Sequence, residues 1–217
     1  MNIEAIIFDS DGTLVDSETL SARVIAGILG DSGAPVSDEQ ILERFRGCRF
    51  AQFAQSLLED FPVMDIDRFT LEFRTRSMDV FARELKPMRG ALELVSGLAM
   101  EKCVASNGPR DKIEMCLGVT GLLPYFEDRI ASAYEVQSWK PDPGLIVHAS
   151  SLMGVPVQRC LLIEDSLAGV EAGLAAGVQV VGYRLSDSVQ GALSRRVPVI
   201  SEFEELERMM GRERGSA

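Results

Sequence analysis

From residue 87 onward the chain alternates short apolar runs with helical stripes, and most of the runs end on a polar side chain. Lys102–Ala105 (KCVA) runs into Ser106-Asn107-Gly108-Pro109, and Cys160–Ile163 (CLLI) ends at Glu164-Asp165. Val178–Gly182 follows a Gly-rich helical stretch at Ala168–Gly177, and Arg129–Ala131 is a shorter candidate strand. Near the start, Ala5, Ile6, Ile7 and Phe8 form another such run, ending at Asp9 and Asp11. Apolar runs without polar alternation read as strands covered on both faces. Strands alternating with helices at these lengths predict an α/β fold built on a parallel, doubly wound sheet.

The period changes between Ser17 and about Leu85. Leu20, Val24 and Ile28 fall on one helical stripe, and Phe50, Phe53, Ala54, Leu57 and Leu58 fall on another. Ser37 with Gln40 three residues later has the form of a capping box. No strand is expected in this stretch. The expected organisation is a core made of residues 1–14 and 87–217, with an all-helical domain inserted at 15–86.

Composition narrows the function. The chain has 217 residues, 46% hydrophobic and 25% charged, which excludes disorder and fibrous repeats. A net charge of -11 disfavours nucleic acid and anionic membranes as partners. No apolar run approaches the ~18 residues of a membrane span. The opening MNIEAIIFDSDGT has neither a basic n-region nor a cleavable apolar stretch, so a cytoplasmic protein is expected, taken as a monomer. Its four cysteines, Cys48, Cys103, Cys116 and Cys160, then read as reduced thiols. An anionic metabolite would need local positive charge or a metal ion to bind here.

In doubly wound sheets, ligands bind at the carboxyl ends of the strands, near a switch in strand order. Asp9, Asp11, Ser106, Glu164 and Asp165 all stand at such ends, and Lys140 lies in the stiff segment Trp139-Lys-Pro-Asp-Pro143. Converging carboxylates repel each other unless a cation neutralises them, and an all-oxygen set selects a hard ion such as Mg²⁺. A divalent cation, one lysine and one serine hydroxyl make a phosphate site. The spacing therefore points to Mg²⁺-dependent phosphoryl chemistry. Some of these residues also have structural readings. Ser106-Asn107-Gly108 reads as a tight turn shaped by Asn107, and Ser166 as a helix cap. Gly169, Gly173 and Gly177 read as close helix packing, and His148 as structural. Trp139 either rims the site or shields Lys140.

The ordered set Asp9-Ser-Asp11-Gly-Thr13, Ser106-Asn107-Gly108, Lys140-Pro-Asp-Pro143 and Glu164-Asp165-Ser166 resembles the haloacid dehalogenase superfamily of phosphotransferases, over nearly the whole chain. The resemblance implies that Asp9 is the nucleophile that forms an aspartyl-phosphate, and that Asp11 serves as general acid and then base. It implies Mg²⁺ held by Asp9, the Asp11 carbonyl and Asp165 with Glu164 nearby, and phosphoryl oxygens held by Ser106 and Lys140. Asn107 is a further candidate substrate contact. It also makes the helical insert a substrate-selecting cap, in which Arg46 and Arg49 are candidate ligands for a second anionic group.

Departures from sibling families narrow the reaction. The second aspartate, Asp11, favours phosphoryl transfer over dehalogenation, and residues 14–85 contain no lysine for a Schiff base. Ser21 and Phe50 stand where mutase relatives carry a His and an Arg. The segments CVASNGPRDK, SWKPDP and EDSLAGVEAG are similar to bacterial sugar-phosphate phosphatases. The expected substrate is a small phosphorylated sugar or sugar acid resembling 6-phosphogluconate. A β-phosphoglucomutase-like isomerase and a non-catalytic sugar-phosphate binder are the alternatives.

Overall fold

The computed structural model describes residues 3–45, 50–61, 65–126, 128–193 and 196–214. The chain divides into two compact units, residues 1–15 with 87–217, and residues 16–86. Val15 belongs to the first unit because it pairs with Asp11 and Pro87.

Strand β1 (Ala5–Phe8) opens the first unit. The second unit carries α1 (Ser17–Asp31), α2 (Asp38–Phe45), α3 (Phe50–Asp60) and α4 (Ile66–Glu84), and its described residues include no strand. The first unit resumes with α5 (Ala91–Gly97), β2 (Glu101–Ser106), α6 (Arg110–Val119), β3 (Ile130–Ser132), α7 (Ala133–Val136) and α8 (Gly144–Leu152). It ends with β4 (Cys160–Glu164), α9 (Leu167–Ala176), β5 (Gln179–Tyr183), α10 (Asp187–Ala192), β6 (Val199–Ile200) and α11 (Phe203–Arg214).

Among the described residues six strands pair in parallel, in the order β3-β2-β1-β4-β5-β6. Strand β1 is central, with Ile7 opposite Cys103 on one side and Leu162 on the other. Its four side chains are completely buried, as an uninterrupted apolar run requires. Ala5 and Ile7 join Leu145, Ile146 and Ala149 of α8 and Val170 of α9 in one apolar layer. Phe8, one residue out of phase, meets Phe126 edge-to-face at 6.1 Å. The chain leaves β1 toward β2 and β3, then returns to β4 on β1's other side. That reversal is a strand-order switch between β1 and β4, and in doubly wound sheets ligands bind at the carboxyl ends beside it.

The helical unit has its own core, in which Val24, Ile25 and Ile28 of α1 pack with Phe53 and Leu57 of α3 and Phe69 of α4. Ring stacking between Phe50 and Phe73 at 4.5 Å closes it. The Arg23–Glu84 and Arg76–Asp31 pairs, at 2.6 and 2.7 Å, are solvent-exposed and add little beside the apolar packing. At the start of α2 the Ser37 amide donates to Gln40 Oε1 (3.1 Å) and the Gln40 amide to Ser37 Oγ (3.3 Å). This is the reciprocal capping box that the sequence suggests.

Several local expectations are corrected. Gly177 is a left-handed helix cap (φ +78°) with nothing near its missing side chain, so it does not serve packing. His148 stands on an exposed part of α8, outside the core. The sequence Met209–Ala217 reads as a polar tail; α11, which buries Phe203 and Leu206 near its start, extends into it as far as Arg214. Strand β6, α7 and α10 have no counterpart in the sequence reading, and two residues of β6 are too few for a periodic signal. Cys103, Cys116 and Cys160 are free and buried. Burial pushes the Cys103 and Cys116 thiols up to about 12 and the Cys160 thiol up to about 11. Cys48, Arg46 and Arg49 lie outside the described residues.

Candidate active site

The site begins where β1 stops. The Asp9 amide still donates to Ile163 O (3.0 Å), extending the ladder one step past Phe8. The chain then curls back, with the amides of Leu14 and Val15 both donating to Ser10 O (2.9 and 3.1 Å). Gly12 stands in this curl at φ +80° and donates to Val15 O (2.9 Å), a conformation that suits only glycine. Asp9 is thereby fixed at the carboxyl end of β1, and Asp11 follows two residues later.

Lys140 supplies the positive charge. Its Nζ donates to Asp9 Oδ1 (2.5 Å) and Glu164 Oε2 (2.7 Å), and the three side chains are 3%, 11% and 1% exposed. Glu164 is saturated from its other oxygen as well. Oε1 accepts from the amides of Asp165 and Ser166 (both 3.1 Å) and from Ser166 Oγ (2.8 Å). It therefore anchors Lys140 to the turn that leads into α9, while Ser166 Oγ caps that helix at the Gly169 amide (3.1 Å).

Asp9, Glu164 and Asp165 each offer an oxygen, and these oxygens lie within 4.8 Å of one another. Thr13, fully buried, donates to Asp165 Oδ1 at 3.5 Å. Three carboxylates thus gather in one corner, two of them paired with the Lys140 ammonium. The Asp9 carboxyl is pushed up to about 8 by burial and by the Glu164 charge, with Lys140 offsetting only part. Lys140 itself is held well above its ordinary value, because Asp9 and Glu164 outweigh the opposing effect of burial. An all-oxygen donor set of three clustered carboxylates fits a hard divalent cation. Asp11 is not in that group; its carboxylate accepts from Lys112 Nζ at 2.8 Å.

A family model described as "haloacid dehalogenase-like hydrolase" matches residues 3–177. The chain belongs to the haloacid dehalogenase-like hydrolases. It is 36% identical over 179 residues to the 6-phosphogluconate phosphatase of Escherichia coli K12, covering 82% of this chain and 81% of that protein. The phosphorylated carbohydrates phosphatase of Thermotoga maritima is 28% identical over 82% of this chain and 83% of its own length. Among solved structures, a haloacid dehalogenase family hydrolase of Deinococcus radiodurans with bound phosphate and sodium superposes with a TM-score of 0.80. That protein is 28% identical, and the match covers 97% of this chain and 96% of it. The chain is accordingly an enzyme, a hydrolase of the phosphatase type.

Within this haloacid dehalogenase-like hydrolase, the structure gathers Asp9, Lys140, Glu164 and Asp165 directly. Ser106 is joined to them through its neighbour. It ends β2, buried, and its Oγ accepts from the Gly108 amide (3.1 Å). Next to it, Asn107 Oδ1 accepts from the Lys140 amide (2.9 Å) and its Nδ2 donates to Lys140 O (3.4 Å). The Asn107 amide is thus engaged with the lysine's backbone, as a loop-shaping role requires. Trp139 packs against the core beside Tyr134, whose ring lies 5.6 Å away. Two residues escaped the sequence reading, Thr13 and Lys112. Thr13 sits inside the first motif without an assigned role. Lys112 meets a partner 101 residues away, and no local pattern announces that.

Gly169 has a more specific task than helix packing. A Cβ there would lie 1.9 Å from Glu164 Cδ and Oε2. Glu164 cannot swing aside without giving up Lys140 and the turn amides. Gly169→Ala is therefore expected to cost about 1–3 kcal/mol of stability and to lower turnover along with it. Chemical denaturation and a phosphatase assay on the same preparation check this, and an unchanged variant on both would contradict it.

Proposed function

We propose that this hydrolase is a Mg²⁺-dependent phosphatase that removes phosphate from a small phosphorylated sugar or sugar acid, 6-phosphogluconate or a close analogue, through a phosphoryl group carried on Asp9. The observation that carries the reading is the buried Lys140 ammonium 2.5 Å from Asp9, with Asp165 and Glu164 beside them at the strand-order switch.

In the first step an Asp9 carboxylate oxygen bonds to phosphorus as the bond to the leaving oxygen breaks, and Asp11 delivers a proton to that oxygen. In the second, Asp11 takes a proton from water, the water oxygen bonds to phosphorus and the bond to Asp9 breaks. Inorganic phosphate leaves and both carboxyl groups are restored. Lys140 offsets charge gathering on the phosphoryl oxygens, Ser106 donates to one of them, and Asn107 keeps the Lys140 backbone in place. A divalent cation held by Asp9, Asp165 and the Asp11 carbonyl would screen the nucleophile from the phosphate dianion.

We assign selection of the leaving group to the helical unit, residues 16–86, with Arg46 and Arg49 as ligands for a second anionic group. A carboxylate at the far end of a phosphorylated sugar acid has the chemistry to meet them. The enzyme is taken to act as a cytoplasmic monomer on free metabolites. No described helix is long and apolar enough to cross a membrane, and a net charge of -11 makes copies of the chain repel one another.

Phosphate release over a panel of 6-phosphogluconate, hexose and pentose phosphates, phosphoglycolate and nucleoside monophosphates tests the reading. Sugar and sugar-acid phosphates are expected to lead the ranking, with activity lost on chelation and restored by Mg²⁺. Release untouched by chelation would remove the metal from the mechanism. No release from any ester would remove the phosphatase.

A further inference from the structure

We propose that Lys112 is a positioning residue for the leaving-group step, anchoring the Asp11 carboxylate so that its proton is directed at the oxygen of the departing alcohol. The proposal rests on the reading of Asp11 as general acid.

Lys112 occupies the first turn of α6, where the helix dipole disfavours a cation. There it is engaged by Asp11, whose Oδ2 accepts from Lys112 Nζ at 2.8 Å, across 101 residues of sequence. Both side chains are about two-thirds buried, at 29% and 30% exposure, so the pair is less screened than the exposed pairs of the helical unit. Its base is fixed as well. Arg110, two residues earlier, donates to both oxygens of Glu135 (2.6 and 2.8 Å) and to Ile130 O (2.6 Å). Ser132 Oγ donates to Gly108 O (2.8 Å), tying the turn before α6 to the end of β3. Lys112 therefore reaches Asp11 from a helix start bolted to the edge of the sheet. A carboxylate in a loop, carried past the end of β1, gains a fixed orientation from such a partner, since pinning one oxygen sets the direction of the other.

The role separates from a merely structural one by leaving group. An alkyl alcohol leaves poorly and needs Asp11's proton, whereas p-nitrophenolate leaves without it. In Lys112→Met, kcat/KM for the fastest sugar phosphate of the panel is expected to fall about 30-fold, and that for p-nitrophenyl phosphate by no more than about 3-fold. Lys112→Arg, which keeps the charge and the donor, is expected to recover most of the loss. The ratio between the two esters is read within one preparation, so partial unfolding leaves it unchanged, and Lys112→Gln repeats the measurement should the Met variant not fold. Equal losses on both esters, or no loss on the sugar phosphate, would overturn the proposal while the phosphatase reading stands. A wild-type enzyme inert toward every sugar phosphate would instead bring down the phosphatase reading, and this proposal with it.

Discussion

Asp9→Asn is expected to reduce phosphate release by about 10³-fold or more, because it turns the one carboxylate proposed to bond to phosphorus into a far weaker amide nucleophile. The substitution is close to isosteric, and Asn Oδ1 still accepts from Lys140 Nζ. It also takes away a charge that burial and Glu164 already disfavour. Folding should therefore be preserved or improved, which separates lost chemistry from a lost fold. Phosphate release and thermal unfolding, measured together, check both halves. Retention of a tenth of the wild-type rate would show that another group attacks phosphorus.

Lys140→Ala should have the largest effect on stability, about 3–5 kcal/mol, since it strands two buried carboxylates that the ammonium now joins. The loss should depend on pH. Without Lys140, which now offsets part of the rise, folding raises the Asp9 carboxyl value further above that of the unfolded chain, so the folded state binds more protons. Stability of the variant is then highest at low pH and falls as pH rises through the folded-state value of Asp9. Urea unfolding at pH 6 and pH 8 is expected to show a larger deficit at pH 8. Adding Glu164→Gln to the variant, which removes one stranded charge, should recover part of it. A deficit under about 1 kcal/mol at both pH values would mean that the buried triad is not held together by charge.

The parts of this site that are legible in the sequence are those that local pattern can carry. Strands β1, β2 and β4 are apolar runs closed by a polar residue, so the pattern alone places Asp9, Ser106, Glu164 and Asp165 at carboxyl ends. Their convergence follows from the topology rule for doubly wound sheets. Contacts between distant segments leave no such mark. The grip of Asn107 on the Lys140 backbone spans 33 residues and the Lys112–Asp11 pair spans 101. Gly169 shows the limit from another side. A glycine in a helix of small residues reads as packing, and only the position of the Glu164 carboxylate reveals that the missing side chain makes room for it. Strand β6 is invisible in the sequence because two residues establish no period.

The proposed chemistry turns on a phosphoryl group carried by Asp9. Asp11→Asn lacks the base proposed for the second step, while p-nitrophenyl phosphate does not need the acid of the first. Mixing the two with Mg²⁺, quenching in acid and weighing the peptides should therefore trap the intermediate. The result expected is the mass of one phosphoryl group on the peptide containing Asp9, absent when Asp9 is also replaced by Asn. Phosphate release with no adduct on any peptide, or an adduct on a different residue, would contradict the proposed mechanism.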